Sequence, residues 1–279
     1  MSKKKPRPTP VPAAFIPNLT DAHTHLASCG ARTAEEVAAL MDRARTAGVR
    51  RVCTVGDGLA EAQLALEAAT GHQDVFAACA IHPTRAHELD EDARAHLRAM
   101  ACDPNCVAIG ETGLDTYWIK HDPHNTAALD VQEEALRWHI DLACESGKAL
   151  MIHNREADED LLRVLGDAPR PVETILHCFS SPWAVADVAL ERGYVLSFAG
   201  NVTFKRNDEL RAIAKAAPIE QIVIETDAPY MTPEPYRGAR NESALIGHTA
   251  QVIADVRGVK VEDFAECVSR NFDRIYGLA

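Results

Sequence analysis

No apolar run in this chain approaches the roughly 20 residues that a membrane-spanning helix needs, so no helical membrane anchor is expected. The eight cysteines contain no Cys-x-x-Cys pair, and Cys53, Cys79 and Cys178 fall inside apolar, strand-like runs. Scattered thiols of that kind are expected to stay reduced, as in a cytoplasmic protein, rather than form a disulfide framework. Cys102 and Cys106 flank only Asp103, Pro104 and Asn105 and lack the two further ligands of a zinc site. The basic start, with Lys3, Lys4, Lys5 and Arg7 among prolines, has no apolar stretch behind it; it is not expected to be a secretory signal. Residues 1–16 read instead as a disordered basic, Pro-rich tail. Positive charge is in deficit: the net charge of −12 argues against general attraction to nucleic acid, although a local site can still be cationic. No Gly-x-Gly-x-x-Gly follows the first apolar run, which disfavours a doubly wound dinucleotide-binding sheet.

What is present is a strand followed by a helix, repeated. Apolar runs at Leu19–Leu26, 51–56, 75–81, 107–111, 149–153, 173–177, 194–198 and 222–227 read as strands. They are nearly continuous in Val, Ile, Leu and Ala, as strands buried on both faces must be. Between them, Thr33-Ala34-Glu35-Glu36 is a capping-box pattern, Gly147 is placed to end a helix from about Ala127 to Ser146, and Ser181-Pro182 resembles an N-cap with Pro at the first helical position. Helices 86–100, 244–256 and 261–276 are also expected. Eight strands alternating with helices and no dividing linker predict a single (β/α)8 TIM barrel over residues 17–279.

The chemistry-bearing residues recur at one kind of position. His23 and His25 are two apart, and side chains in a strand alternate with period 2, so both imidazoles project to one side. Glu111 ends the fourth strand, His153 the fifth, His177 the sixth and Asp227 the eighth. In a TIM barrel these ends surround one mouth, where active sites lie. Four imidazoles and two carboxylates exceed one tetrahedral ion and match a two-metal site bridged by a carboxylate. Glu111 is the expected bridge, with His23, His25 and Asp227 on one ion and His153 and His177 on the other. The nitrogen-rich set suits Zn, Mn or Fe, with room for Mg at one position. Each residue also has a plainer reading, such as Glu111 or Asp227 pairing with Arg155 or Arg237. Of the other histidines, His82 faces the same mouth, His72, His87, His96 and His139 are expected to be solvated on helices, and His121, His124 and His248 are unassigned.

Five blocks in order, Asp21-Ala22-His23-Thr24-His25-Leu26, Ile109-Gly110-Glu111-Thr112-Gly113-Leu114-Asp115, His153-Asn154-Arg155-Glu156-Ala157, Leu176-His177-Cys178-Phe179-Ser180 and Glu225-Thr226-Asp227-Ala228-Pro229-Tyr230, resemble the signature of the TatD family of metal-dependent hydrolases. Phe198–Phe204 and Arg237–Asn241 match as well, and the similarity runs from about Pro17 to Tyr276. Ser243 departs from the pattern, standing where that family usually has proline. The resemblance implies a TIM barrel, two divalent metals and deoxyribonuclease activity, often 3′→5′ exonucleolytic.

A metal pair that acidifies a water and clamps both oxygens of an in-line displacement suits phosphodiester hydrolysis, with Glu111 and Asp227 catalytic and Asp227 the expected acceptor of the water's proton. Arg155, Lys205, Arg206, Arg237 and Arg240 all follow strand ends and are expected to bind phosphate. Trp118, with Tyr117 and Tyr230, is placed to stack on an unpaired base. The expected substrate is DNA, with single-stranded ends; no membrane is implied and no protein partner is deducible. The competing enzyme class is a binuclear amidohydrolase acting on an amide or carboxyl ester, including aminoacyl-tRNA deacylation. Many such enzymes carry a carboxylated lysine at the end of strand four, where this chain has Glu111 and no Lys within 109–114. A barrel that only binds a partner would normally have lost a ligand, and none is missing.

Overall fold

The computed structural model describes residues 9–278. Eight parallel strands form one sheet in sequence order: β1 (Leu19–Thr24), β2 (Val49–Val55), β3 (Val75–Ala78), β4 (Cys106–Asp115), β5 (Ala149–Arg155), β6 (Thr174–Leu176), β7 (Val195–Phe198) and β8 (Ile222–Ile224). The helices are α1 (Ala34–Thr46), α2 (Leu59–Gly71), α3 (Glu91–Ala101), α4 (Thr116–His121), α5 (Leu129–Ser146), α6 (Asp158–Asp167), α7 (Trp183–Glu191), α8 (Asp208–Ala216), α9 (Ile246–Arg257) and α10 (Val261–Ile275). The sheet curls into a nearly closed TIM barrel, as expected.

Local sequence accounts for the helix ends. The Thr33 hydroxyl accepts from Glu36 N while the Glu36 carboxylate accepts from Thr33 N, completing the capping box of α1. Gly147 takes φ +65° and ends α5. At α7 the expectation is corrected. Pro182 is the N-cap, and the Ser181 hydroxyl instead donates to Asp158 Oδ1 at 2.6 Å. The helix expected over 86–100 is a 3-10 turn, Pro83–Glu88, followed by α3, which the Asp90 side chain caps. Residues 1–8 of the expected tail lie outside the described residues. Of the remainder, Val11 O accepts from His248 Nε2 and Ile16 is buried in the core.

The strands bury both faces with period 2. On β5, Ala149 and Met151 point into the barrel, while Leu150 and Ile152 face the helices. Continuing that alternation puts His153 on the inner face at the mouth. Gly113 lies at φ +148° with its Cα against β5, where a Cβ would sit 1.9 Å from His153 O; only glycine lets β4 and β5 stay paired there. The β1–β8 seam has no ladder of its own. It is closed by backbone bonds from His25 N to Ala228 O (2.8 Å) and Asp227 N to His23 O (2.9 Å). The fully buried Asp21 carboxylate adds acceptance from Thr226 N and Oγ1, at 2.8 and 2.6 Å. Among the described residues no helix is long and apolar enough to cross a membrane.

Candidate metal centre

The seam delivers two of the expected ligands side by side. His23 and His25 bring their Nε2 atoms to 3.0 Å. The Nδ1–H of His25 is directed at Val55 O (3.2 Å), and His23 Nδ1 faces the Met151 sulfur (3.0 Å). With the Nδ1 protons placed there, both facing Nε2 atoms carry lone pairs. Asp227 Oδ1 lies 3.7 and 3.5 Å from the two Nε2 atoms, and Glu111 Oε2 3.5 and 3.9 Å. Two ring nitrogens and two carboxylate oxygens facing one point are a donor set that fits a cation. Asp227 reaches this place from φ +52°, a conformation costly for a non-glycine residue, and the seam bond to His23 O helps to hold it.

The other Glu111 oxygen faces a different group. Oε1 is 2.6 Å from His153 Nδ1, 2.8 Å from His177 Nε2 and 3.6 Å from His82 Nε2. The two oxygens of one carboxylate thus look into two sets of imidazoles, and all six expected ligands converge at one mouth. Metal-capable groups of three form within it: His23–His177–Asp227, His23–His25–Glu111 and His82–Glu111–His153. Glu111 and Asp227 pair with histidines here and not with Arg155 or Arg237.

Burial alone would raise the Glu111 carboxyl, yet the charge of His177 and hydrogen bonds from His153 and His177 hold it well below the usual range. Burial, with His177 close by, pushes His23 well below an ordinary imidazole. So crowded a set cannot carry a proton on every ring, and a divalent ion would take the protons' place. The donor chemistry fits such an ion: imidazole nitrogens backed by two carboxylates, all buried or nearly so.

Two buried carboxylates at the centre were not among the expected site residues. Asp115 Oδ2 lies 3.0 Å from His153 Nε2, and Glu225 Oε1 lies 3.2 Å from His177 Nδ1. Both had a signal in the period of 2. Asp115 is four residues beyond Glu111 on the same strand face, and Glu225 is two before Asp227. Asp115 lies outside the expected site because the fourth strand was expected to end at Glu111, whereas β4 continues to Asp115 and α4 begins at Thr116. Trp118 accordingly stands on a helix. His139, expected in solvent, is fully buried; its Nε2 accepts from Ile81 N and its Nδ1 donates to Ala135 O.

The expected phosphate and base contacts lie on two sides of the mouth. Beside β4 and β5, the Arg155 guanidinium sits 3.8 Å over the Tyr117 ring and 5.5 Å from Trp118, which is 40% exposed. Across the barrel, Arg237 lies 4.1 Å over Phe204 and Arg240 donates to Ser28 O at 2.7 Å. Lys205 and Arg206 are exposed after the 3-10 turn Gly200–Thr203. Among the described residues none of the five cations is paired with a carboxylate.

A (β/α)8 barrel with this donor set at its mouth defines a metal-dependent hydrolase. The chain belongs to the TatD family: residues 20–277 match the family model described as TatD related DNase. It is 45% identical over 265 residues to a Mycobacterium tuberculosis protein named uncharacterized metal-dependent hydrolase TatD, covering 93% of this chain and 98% of that one. It is 33% identical over 246 residues to the 3′-5′ ssDNA/RNA exonuclease TatD of Pantoea ananatis, covering 86% and 92%. The crystal structure of YJJV, a TatD homolog from Escherichia coli K12, superposes with a TM-score of 0.85 at 22% identity, covering 94% and 99%.

Proposed function

We propose that the protein is a two-metal phosphodiesterase that trims single-stranded DNA ends in the 3′→5′ direction. The observation that carries this reading is the division of Glu111, whose Oε2 faces His23 and His25 while Oε1 faces His153 and His177. One carboxylate set between two imidazole groups is the arrangement a bridged ion pair requires. The relative from Pantoea ananatis, named as an exonuclease on single-stranded DNA and RNA, supports the substrate class.

In this reading His23, His25 and Asp227 would hold one ion, His153 and His177 the other, and Glu111 would serve both. Zn, Mn, Mg or Fe bound there would supply Lewis acidity at the scissile phosphate and bring the pKa of a water toward about 7. Asp227, buried but open at the mouth, takes the proton of the attacking water. Arg155 on one rim, and Arg237, Arg240, Lys205 and Arg206 on the other, hold the flanking phosphates. Trp118 offers a stacking surface to an unpaired base. The cysteines, all free thiols, suit a reducing compartment, the cytoplasm.

The test is to strip the protein of metal, reload it with Mg²⁺, Mn²⁺ or Zn²⁺, and follow end-labelled single-stranded DNA, duplex DNA and RNA. The expected result is stepwise shortening of single-stranded DNA from the 3′ end, abolished in Glu111→Ala. A fully loaded protein that leaves DNA and RNA intact but hydrolyses an amide or carboxyl-ester panel would overturn the reading.

A further inference from the structure

Asp115 and Glu225 are fully buried, charged when ionised, and unused in the scheme above. Each approaches the outward nitrogen of an imidazole whose other nitrogen faces Glu111 Oε1. We infer that Asp115 and Glu225 are positioning residues that fix the tautomers of His153 and His177, so that one of the two metal positions depends on them and the other does not. The inference rests on the two-metal reading.

The surroundings of the two halves differ in kind. Behind His177, Glu225 Oε1 also accepts from Cys178 N at 2.8 Å, and Oε2 accepts from Ser197 Oγ at 2.5 Å. Behind His153, the Asp115 carboxylate also accepts from Trp118 N at 2.7 Å through Oδ1, so its position is set by the start of α4. A buried carboxylate that accepts the outer N–H leaves the inner nitrogen with its lone pair toward the ion and makes it more basic. The other half has no buried carboxylate in this role. His25 relies on the Val55 carbonyl, with Asp57 Oδ1 at 3.3 Å but 38% exposed, and His23 faces only a thioether, a weak acceptor.

The two carboxylates tolerate neutralisation differently. In Glu225→Gln the amide oxygen can still accept from His177 and Cys178 while the NH2 donates to the Ser197 hydroxyl. Geometry survives and only the charge is lost. In Asp115→Asn one oxygen must serve either Trp118 N or His153. If it keeps the helix cap, the NH2 faces His153 Nε2, and the ring proton moves to the nitrogen that faces the metal position.

The experiment is calorimetric titration of the metal-stripped protein with Zn²⁺, and again with Mn²⁺, beside melting curves of the metal-free variants as a folding control. Wild type is expected to bind two ions in separable steps. Glu225→Gln should weaken one step about 10-fold, and Asp115→Asn the same step by up to about 100-fold, the range for groups that orient metal-bound histidines. The second step should stay within about twofold of wild type, since neither carboxylate touches His23 or His25. Imidazole ¹⁵N spectra of the Zn²⁺-loaded protein should show the Nε2–H form of His153 in wild type and its loss in Asp115→Asn. Two wild-type steps with both weakened together, with neither changed, or with the variants acting on different steps would overturn the inference alone. A single ion in wild type would overturn the two-metal reading beneath it.

Discussion

The two ends of this barrel are built from the same eight strands and treat polarity in opposite ways. At the N-terminal end α10 closes the barrel. Phe272, Ile275 and Tyr276 pack against Cys53, Ala78, Val107 and Ala149, and Phe272 meets Phe76 edge-on at 6.3 Å. The helix is tied to the strand starts by Asn271, which donates to Ile219 O and Ile222 O at 2.6 and 2.7 Å, and by Arg51–Asp273 and Arg274–Glu173 ion pairs. At the mouth, four residues further along the same strands (Val107 to Glu111, Ala149 to His153), apolar side chains give way to imidazoles and carboxylates. Burial of apolar area stabilises the first end. Desolvation of charge makes the second end costly unless something compensates it. The difference teaches that the mouth is kept for chemistry at the expense of stability, which the closed end supplies.

The sharpest way to break this contrast is to move a substitution from one end to the other. Glu111→Ala at the mouth should lower DNA hydrolysis by at least about 10³-fold, the scale of removing a group aimed at transition-state charge. A variant that retained a tenth of the activity would end the bridging role. Next in size, Phe272→Ala at the closed end should cost about 3–5 kcal/mol in urea unfolding, the usual range for a buried Phe. Activity per folded molecule should be unchanged. A fall in turnover matching the loss of stability would mean that the two ends are not separable.

His139 sharpens the comparison from underneath the mouth. Burial pushes its pKa down from 6.5 to about 4, partly offset by the bond to Ala135 O. The folded state therefore holds His139 neutral at a pH where the unfolded chain already binds a proton. Its contribution is complete above pH 6.5 and is lost as pH falls toward 4, by roughly 2–3 kcal/mol at pH 4.5. Unfolding free energies of wild type and His139→Gln at pH 7, 5.5 and 4.5 should converge as pH falls. Parallel curves would show that this ring does not set the acid limb.

How much of this was legible in the sequence follows the same division. The barrel interior was plain because inward residues of parallel strands read as continuous apolar runs, and His23 and His25 were plain because period 2 sends i and i+2 to one side. The reach of β4 was not. Thr112-Gly113-Leu114-Asp115 has the glycine of a turn and no β-branched run, and it becomes strand only by pairing with Ile152, His153, Asn154 and Arg155 of β5. With that extension unseen, Asp115 looked like a loop residue. His139 was misread for a related reason. It sits three residues after Leu136 and four before Ala143 on the face that α5 buries, but a polar residue on a helix reads as solvated until its partners are known.

The smallest effect expected lies on the rim. Arg155 has no carboxylate partner among the described residues and rests on Tyr117, whereas many arginines on the helical exterior are paired, such as Arg43 with Glu242 and Arg45 with Asp74. A guanidinium held on an aromatic face keeps its charge available to a phosphate. If it contacts one, Arg155→Ala should weaken binding of single-stranded DNA several-fold at low salt. The slope of log affinity against log salt should become shallower by about 0.7, the value for one contact on a single strand. The measurement is fluorescence anisotropy of labelled DNA on the inactive Glu111→Ala background, with and without Arg155→Ala, from low to moderate salt. A weaker affinity with an unchanged slope would assign Arg155 to ordering Tyr117 and Trp118 rather than to phosphate, and the rim would then read the base more than the backbone.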